Sequence, residues 1–78
     1  MIVYFYDLKP KKKDNYHRLK RNFYYNFNKI KLKDFSFRTK SVFVVDEKYE
    51  KLLDSFFVSF KGEVEVYKIR TQGVEQLC

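Results

Sequence analysis

The sequence predicts an α+β domain of βαββαβ order, with a mostly antiparallel sheet carrying both helices on one face. Three observations lead there. Two continuous apolar, β-branched and aromatic runs stand at residues 2–7 and 41–45; two longer stretches place apolar residues at threes and fours; and residues 63–69 give the clearest alternation in the chain. With 78 residues and no internal repeat or linker, the chain forms one domain over 1–78, in which 70–78 is a tail able to add a short extra strand.

Ile2-Val3-Tyr4-Phe5-Tyr6-Asp7 reads as a central strand that ends on a carboxylate. Leu8-Lys9-Pro10 breaks it, and Lys11, Lys12 and Lys13 follow, with Asp14 placed to cap the next element. Tyr16, Leu19, Phe23, Phe27 and Ile30 then make one face of a helix whose other face carries Arg18 and Arg21. Phe35 and Phe37 alternate with polar neighbours as a half-buried strand, and Thr39-Lys40 supplies the bend into Ser41-Val42-Phe43-Val44-Val45, a second central strand. Asp46 caps a second helix with Tyr49, Leu52, Leu53, Phe56 and Phe60 on its apolar face, and Gly62 stops it. Residues 63–69, Glu-Val-Glu-Val-Tyr-Lys-Ile, form the last main strand, and Val74–Leu77 makes a further short strand or frays. Right-handed crossovers put the first and third strands in the middle of the sheet.

A domain this short buries only about 60% of its unfolded surface, so its core must be rich for its length. Nine Phe and seven Tyr meet that need, and they favour a folded domain over disorder. Small domains also gain stability by association, which makes a homodimer a natural expectation. Cys78 is the one cysteine, so no intramolecular disulfide forms and paired-thiol metal spacing is absent, in keeping with a reducing cytoplasm. The first apolar segment is too short for a signal sequence or a membrane span.

The formal charge of +7 is unevenly distributed. Residues 1–40 hold twelve Lys or Arg against three acidic residues, and residues 41–78 hold five against seven, giving +9 and −2. A one-sided positive field attracts polyanions, and phosphate neutralisation supplies salt-sensitive affinity. Lys9, Lys11, Lys12, Lys13, Arg18 and Arg21 are the nucleic-acid-binding candidates, since a loop and the first turns of a helix bring them to one side. The plainer alternative is a solvated lysine loop.

Asp7 is the candidate catalytic and metal-linked residue. A carboxylate closing a central strand beside a cationic loop can hold Mg²⁺, which needs few protein ligands and takes phosphate oxygens and water for the rest. Two copies meeting with their Asp7 residues close together would make a stronger site. The alternative is an aspartate that caps a turn or pairs with a nearby lysine. His17, without an evident partner, reads as a surface or phosphate-contacting residue, and Ser41 lacks a recognisable base. The aromatic residues are core first, with Tyr4, Tyr6 and Tyr24 the candidates for base stacking.

Two signatures resemble a known family. Tyr4-Phe5-Tyr6-Asp7-Leu8 is similar to the strand ending in Tyr-Asp that opens the Cas-two family of CRISPR-associated proteins, and Lys40-Ser41-Val42-Phe43 resembles that family's Gln-x-Ser-Val-Phe stretch. The order and spacing of elements extend the resemblance over nearly the whole chain. Val44 stands where the family usually has Glu, Thr39 and Lys40 where a Gln is usual, and no Gly follows the first helix. The resemblance implies a ferredoxin-like homodimer that scaffolds the CRISPR adaptation integrase and binds duplex DNA on its basic surface. In it, Asp7 matches the metal-linked aspartate of a Mg²⁺-dependent endonuclease, and the tail after Ile69 matches a strand that reaches across the dimer. Toxin-like relatives cleave RNA, so double-stranded DNA and RNA are both candidate partners. Two other classes fit the element order: an RNA-recognition module that stacks bases on sheet aromatics, and a small viral or mobile-element protein that uses the fold to bind a host protein.

Overall fold

The computed structural model describes residues 1–31, the backbone of 36–37, 40–75 and 77–78. It is an α+β structure in which β1 (Ile2–Leu8), α1 (Tyr16–Lys29), β2 (Ser36–Phe37), β3 (Val42–Val45), α2 (Glu50–Val58) and β4 (Val64–Arg70) follow one another, with 3-10 turns at Lys13–Asn15 and Glu47–Tyr49 leading into the two helices. The sheet order is β2-β3-β1-β4 and every pairing is antiparallel. Val3 pairs with Val44 on one side and Ile69 on the other, and Phe5 with Val42 and Tyr67. The opening strand and the Ser-Val-Phe strand therefore lie side by side in the middle of the sheet.

The period-two pattern of β1 decides which face is buried. Ile2, Tyr4 and Tyr6 point into the core, where Leu19, Phe23 and Phe27 of α1 and Leu53 and Phe57 of α2 meet them, with Phe43 and Val45 from β3. Both helices thus cover the same face. Phe23 is at the centre of an aromatic cluster, with ring centroids 5.3 Å from Tyr6, 5.1 Å from Phe56 and 5.3 Å from Phe60. Such tilted and edge-to-face pairs add about 0.5–1.5 kcal/mol each beyond area burial, which offsets the small size of the core.

Several expected details differ. In α2, Phe57 is buried while Leu52 is half exposed, because 53, 56, 57 and 60 share one stripe and 52 falls on its flank. Asp14 lies inside the first 3-10 turn rather than capping α1, whose N-cap is Asn15 and whose cap has no side-chain hydrogen bond. Asp46 caps the 3-10 turn Glu47–Tyr49 that leads into α2, accepting from the Lys48 N–H at 2.9 Å, while the N-cap of α2 itself is Tyr49. Gly62, at φ +91°, turns the chain from α2 into β4 in a conformation that favours glycine. Beyond Arg70, the described residues of the tail add no strand to the sheet: Met1 and Thr71 exchange two backbone hydrogen bonds of 2.9 Å, after which Thr71 and Gly73 form a local turn. The predicted strand Phe35–Phe37 is seen only at Ser36–Phe37, and Leu32–Phe35, Arg38–Thr39 and Gln76 lie outside the described residues.

Polar contacts close the β4 side of the core. The Tyr4 hydroxyl donates to Asp54 at 2.8 Å, Lys68 reaches Asp54 and Glu50 at 2.5 and 2.7 Å, and Arg70 reaches Glu50 at 2.6 Å. Lys68 is the main reason why Glu50 is held below the usual carboxylate range, with Arg70 adding to it against the opposing effect of burial. Burial pushes the Asp54 carboxyl upward, but the Lys68 ammonium and the Tyr4 hydroxyl outweigh it and hold it below its ordinary value.

Candidate nucleic-acid interface

One end of the sheet gathers the last residues of β1, the first of β3 and β4, and the loop between β1 and α1. Antiparallel pairing dictates this, since β1 leaves where its two neighbours enter. Asp7 stands at this end, with its side chain 68% exposed and a 3.4 Å ion pair to Lys9. The lysine-paired alternative raised by the sequence is therefore realised, in an exposed pair of the weak class. Its cross-strand neighbour is Glu65, whose carboxylate accepts a hydrogen bond from the Tyr67 hydroxyl at 2.5 Å.

Lys9, Lys11, Lys12, Lys13, Arg18 and Arg21 are all exposed. The Lys9 N–H donates to the Glu63 carbonyl at 2.8 Å, which ties the start of the lysine loop to the entry of β4. Lys11 lies back over the turn at Gly62, its Cε 3.5 Å from where a Cβ there would sit. Arg18 lines a shallow cleft with Asn15, Asn22 and Glu63 on one flank of α1, and Arg21 follows one turn later on the outward side. His17 is exposed, with its ring edge-on to Tyr16.

A row at spacing four, Tyr16, Lys20 and Tyr24, runs along the other flank of α1 and faces the Lys40–Ser41 corner. Together with Asp7 they line a cleft of about 150 Å³. Hydroxyls fix this corner: Tyr6 and Tyr24 reach the Lys40 carbonyl at 2.9 and 3.3 Å and each other at 3.1 Å, and the Tyr6 N–H donates to the Ser41 carbonyl at 2.9 Å. Burial pushes the Tyr6 hydroxyl pKa up, and its bond to Tyr24 adds to the shift, so it stays protonated and able to donate. Lys20 and Lys40 escaped the sequence reading because only the tertiary fold unites them; the four-residue spacing of Tyr16, Lys20 and Tyr24 was the available signal.

The base-stacking candidates require correction. Tyr4 and Tyr6 are core residues, 1% and 5% exposed, because the alternation of β1 turns them toward the helices. The opposite sheet face carries Phe5 and Tyr67 as a cross-strand pair, flanked by Val3 and Ile69, with Tyr67 62% and Ile69 54% exposed.

Asp7 and Glu65 are adjacent by register, and among the described residues no group of three His, Cys, Asp or Glu side chains comes together. The described residues thus offer Mg²⁺ Asp7 alone or with Glu65. That suits an ion which characteristically takes one or two carboxylates and completes its shell with phosphate oxygens and water. Among the described residues, no helix is long and apolar enough to cross a membrane. No protein-family model matches the chain, and no curated protein or solved structure matches it.

Proposed function

We propose that this chain is a ferredoxin-like, Cas-two-like nucleic-acid-binding protein that works in the cytoplasm as a homodimer, scaffolding a CRISPR adaptation integrase on duplex DNA. The observation that carries the reading is the antiparallel pairing of β1 with β3, Phe5 opposite Val42, which puts Asp7 and the lysine loop at one sheet end. The sequence signatures that resemble the family sit on those two neighbouring strands. Lys9, Lys11, Lys12, Lys13, Arg18 and Arg21 serve as phosphate contacts, which position a duplex without reading its sequence.

The open sheet face supports the dimer. Val3, Phe5, Tyr67 and Ile69 form two adjacent apolar rungs on a face that neither helix covers. Exposed apolar surface of this kind marks an interaction site, and a two-fold axis through it lets each copy cover the other's rungs. In the dimer, Asp7 from each copy would hold Mg²⁺, which supplies Lewis-acid stabilisation of a phosphodiester undergoing cleavage. This chain's own part is to place the carboxylate at a cationic rim and to hold the phosphate there with lysines.

Phe5 and Tyr67 also favour a second reading, an RNA-recognition module, since a neighbouring exposed aromatic pair on a sheet can stack unpaired bases. Against it, β3 gives that face a half-buried Val42 and a buried Val44 in place of aromatics.

Sedimentation velocity of the full chain, alone and with a short duplex, tests both readings. The scaffold reading expects a dimer alone and a dimer-plus-duplex species whose yield falls with salt. A monomer that binds only single strands would replace it with the stacking module, and absence of any salt-sensitive binding would favour a protein partner.

A further inference from the structure

We propose that the cleft between α1 and the Lys40–Ser41 corner is a subsite for a phosphomonoester, the terminal phosphate of a nucleic-acid strand, with Lys20 and Lys40 as its cation pair. The inference rests on the nucleic-acid reading above and adds a site that the lysine loop does not explain.

Size comes first. The cleft holds about 150 Å³, whereas pockets for cofactors and drug-sized ligands run to roughly 300–1,000 Å³. It therefore suits a single compact group rather than a nucleoside.

Charge selects the group. Three other cations are already paired, Lys68 and Arg70 by Glu50 and Asp54 and Lys9 by Asp7, and Lys11, Lys12 and Lys13, unpaired among the described residues, do not line this cleft. Lys20 and Lys40 have no ion pair among the described residues, although they line the same cleft. Asp7, the one carboxylate in the lining, already has Lys9 at 3.4 Å. Two ammonium groups beside the Tyr16 hydroxyl form a donor-rich wall suited to an oxyanion.

Rigidity makes the wall useful. The Tyr6 hydroxyl and N–H hold the Lys40–Ser41 backbone against β1 and the Tyr24 hydroxyl holds it against α1, so the backbone carrying one of the two cations is fixed before a ligand arrives. A terminal phosphate has about −1.5 to −2 charges and three acceptor oxygens at pH 7, whereas an internal diester has one charge per phosphate. Two lysines lining one cleft therefore favour the strand end.

Amide-resolved NMR of the ¹⁵N-labelled full chain tests this, using inorganic phosphate and one short oligonucleotide bearing a 5′-phosphate, a 3′-phosphate or hydroxyl ends only. The expected result is saturable shifts at Lys20, Lys40 and Ser41 with phosphate and with a phosphorylated end, at least about tenfold weaker in K20M/K40M, a loss of about 1.4 kcal/mol. The K11A/K12A/K13A variant should keep them. Both lysines are exposed, so unchanged core resonances verify folding. Equal shifts with hydroxyl ends, or undiminished shifts in K20M/K40M, would overturn the subsite while leaving duplex binding through the lysine loop intact. Saturable phosphate binding with no oligonucleotide bound at all would remove the nucleic-acid reading and, with it, the strand-end assignment.

Discussion

The Tyr4 hydroxyl of β1 donates a 2.8 Å hydrogen bond to Asp54 of α2, whose other oxygen takes the Lys68 ammonium from β4. One carboxylate therefore joins a central strand, the edge strand and a helix. Tyr4→Phe keeps the buried ring, stacked on Phe43 and Phe57 at 5.3 and 5.4 Å, and deletes only the donor. Because the acceptor is charged, the loss should be about 1.5 kcal/mol, lowering Tm by roughly 6–12 °C in a domain of this size. Thermal unfolding followed by circular dichroism measures it, and an unchanged Tm would show that water replaces the hydroxyl without penalty.

Acid should weaken the same cluster. Glu50 and Asp54 have folded pKa values below their ordinary 4.5 and 3.8, so the unfolded chain binds protons first. Their stabilisation is fully present above the unfolded values and is lost as pH falls through the folded ones. Urea midpoints measured from pH 7 to 2.5 should therefore begin to drop near pH 4.5 and continue to drop below 3.8. Lys68→Met removes the shared cation, so its curve should be shallower over that window. Parallel curves for the two proteins would place the acid sensitivity elsewhere.

Much of this cluster was out of reach of the sequence, while the frame around it was not. The runs at 2–7 and 41–45 read as strands from their shortness and their β-branched and aromatic content, and the period-two rule already implied that Tyr4 and Tyr6 share a face with Ile2. What periodicity left undetermined was the helix phase at its edges, hence Leu52 in place of Phe57. Tyr4 and Asp54 are 50 residues apart, and Lys20 and Lys40 come from different elements; spacing along a chain has no bearing on such pairs. Asp7 was legible as a strand-ending carboxylate, and its 3.4 Å contact with Lys9 follows from two residues of the same sign-alternating loop entry.

Salt dependence provides a quantitative check on the basic surface. Each phosphate neutralised contributes about 0.9 to the slope of log K against log salt on duplex DNA. Lys11, Lys12 and Lys13 are exposed and have no ion pair among the described residues. The K11A/K12A/K13A variant should therefore flatten the slope by about 2–3 and weaken binding uniformly across duplex sequences. Fluorescence anisotropy at several salt concentrations reads both quantities. An unchanged slope would remove the loop from the interface and leave Arg18 and Arg21 as the remaining candidates.

Asp7 separates binding from chemistry. Its side chain is 68% exposed and its ion pair with Lys9 is solvated, so Asp7→Asn should leave stability within about 0.5 kcal/mol of wild type. Removing a negative charge from a cationic rim should also leave duplex affinity equal or slightly higher. Under the proposed function a Mg²⁺-dependent cleavage rate would depend on this carboxylate, and its loss should be on the order of a hundredfold, the usual scale for deleting one electrostatic contributor. Cleavage of labelled duplex DNA and RNA by both proteins, with Mg²⁺ and with chelator, measures this. Equal, chelator-sensitive rates in the two proteins would move the metal away from Asp7, because asparagine retains the shape of the side chain and loses only the charge that Mg²⁺ requires.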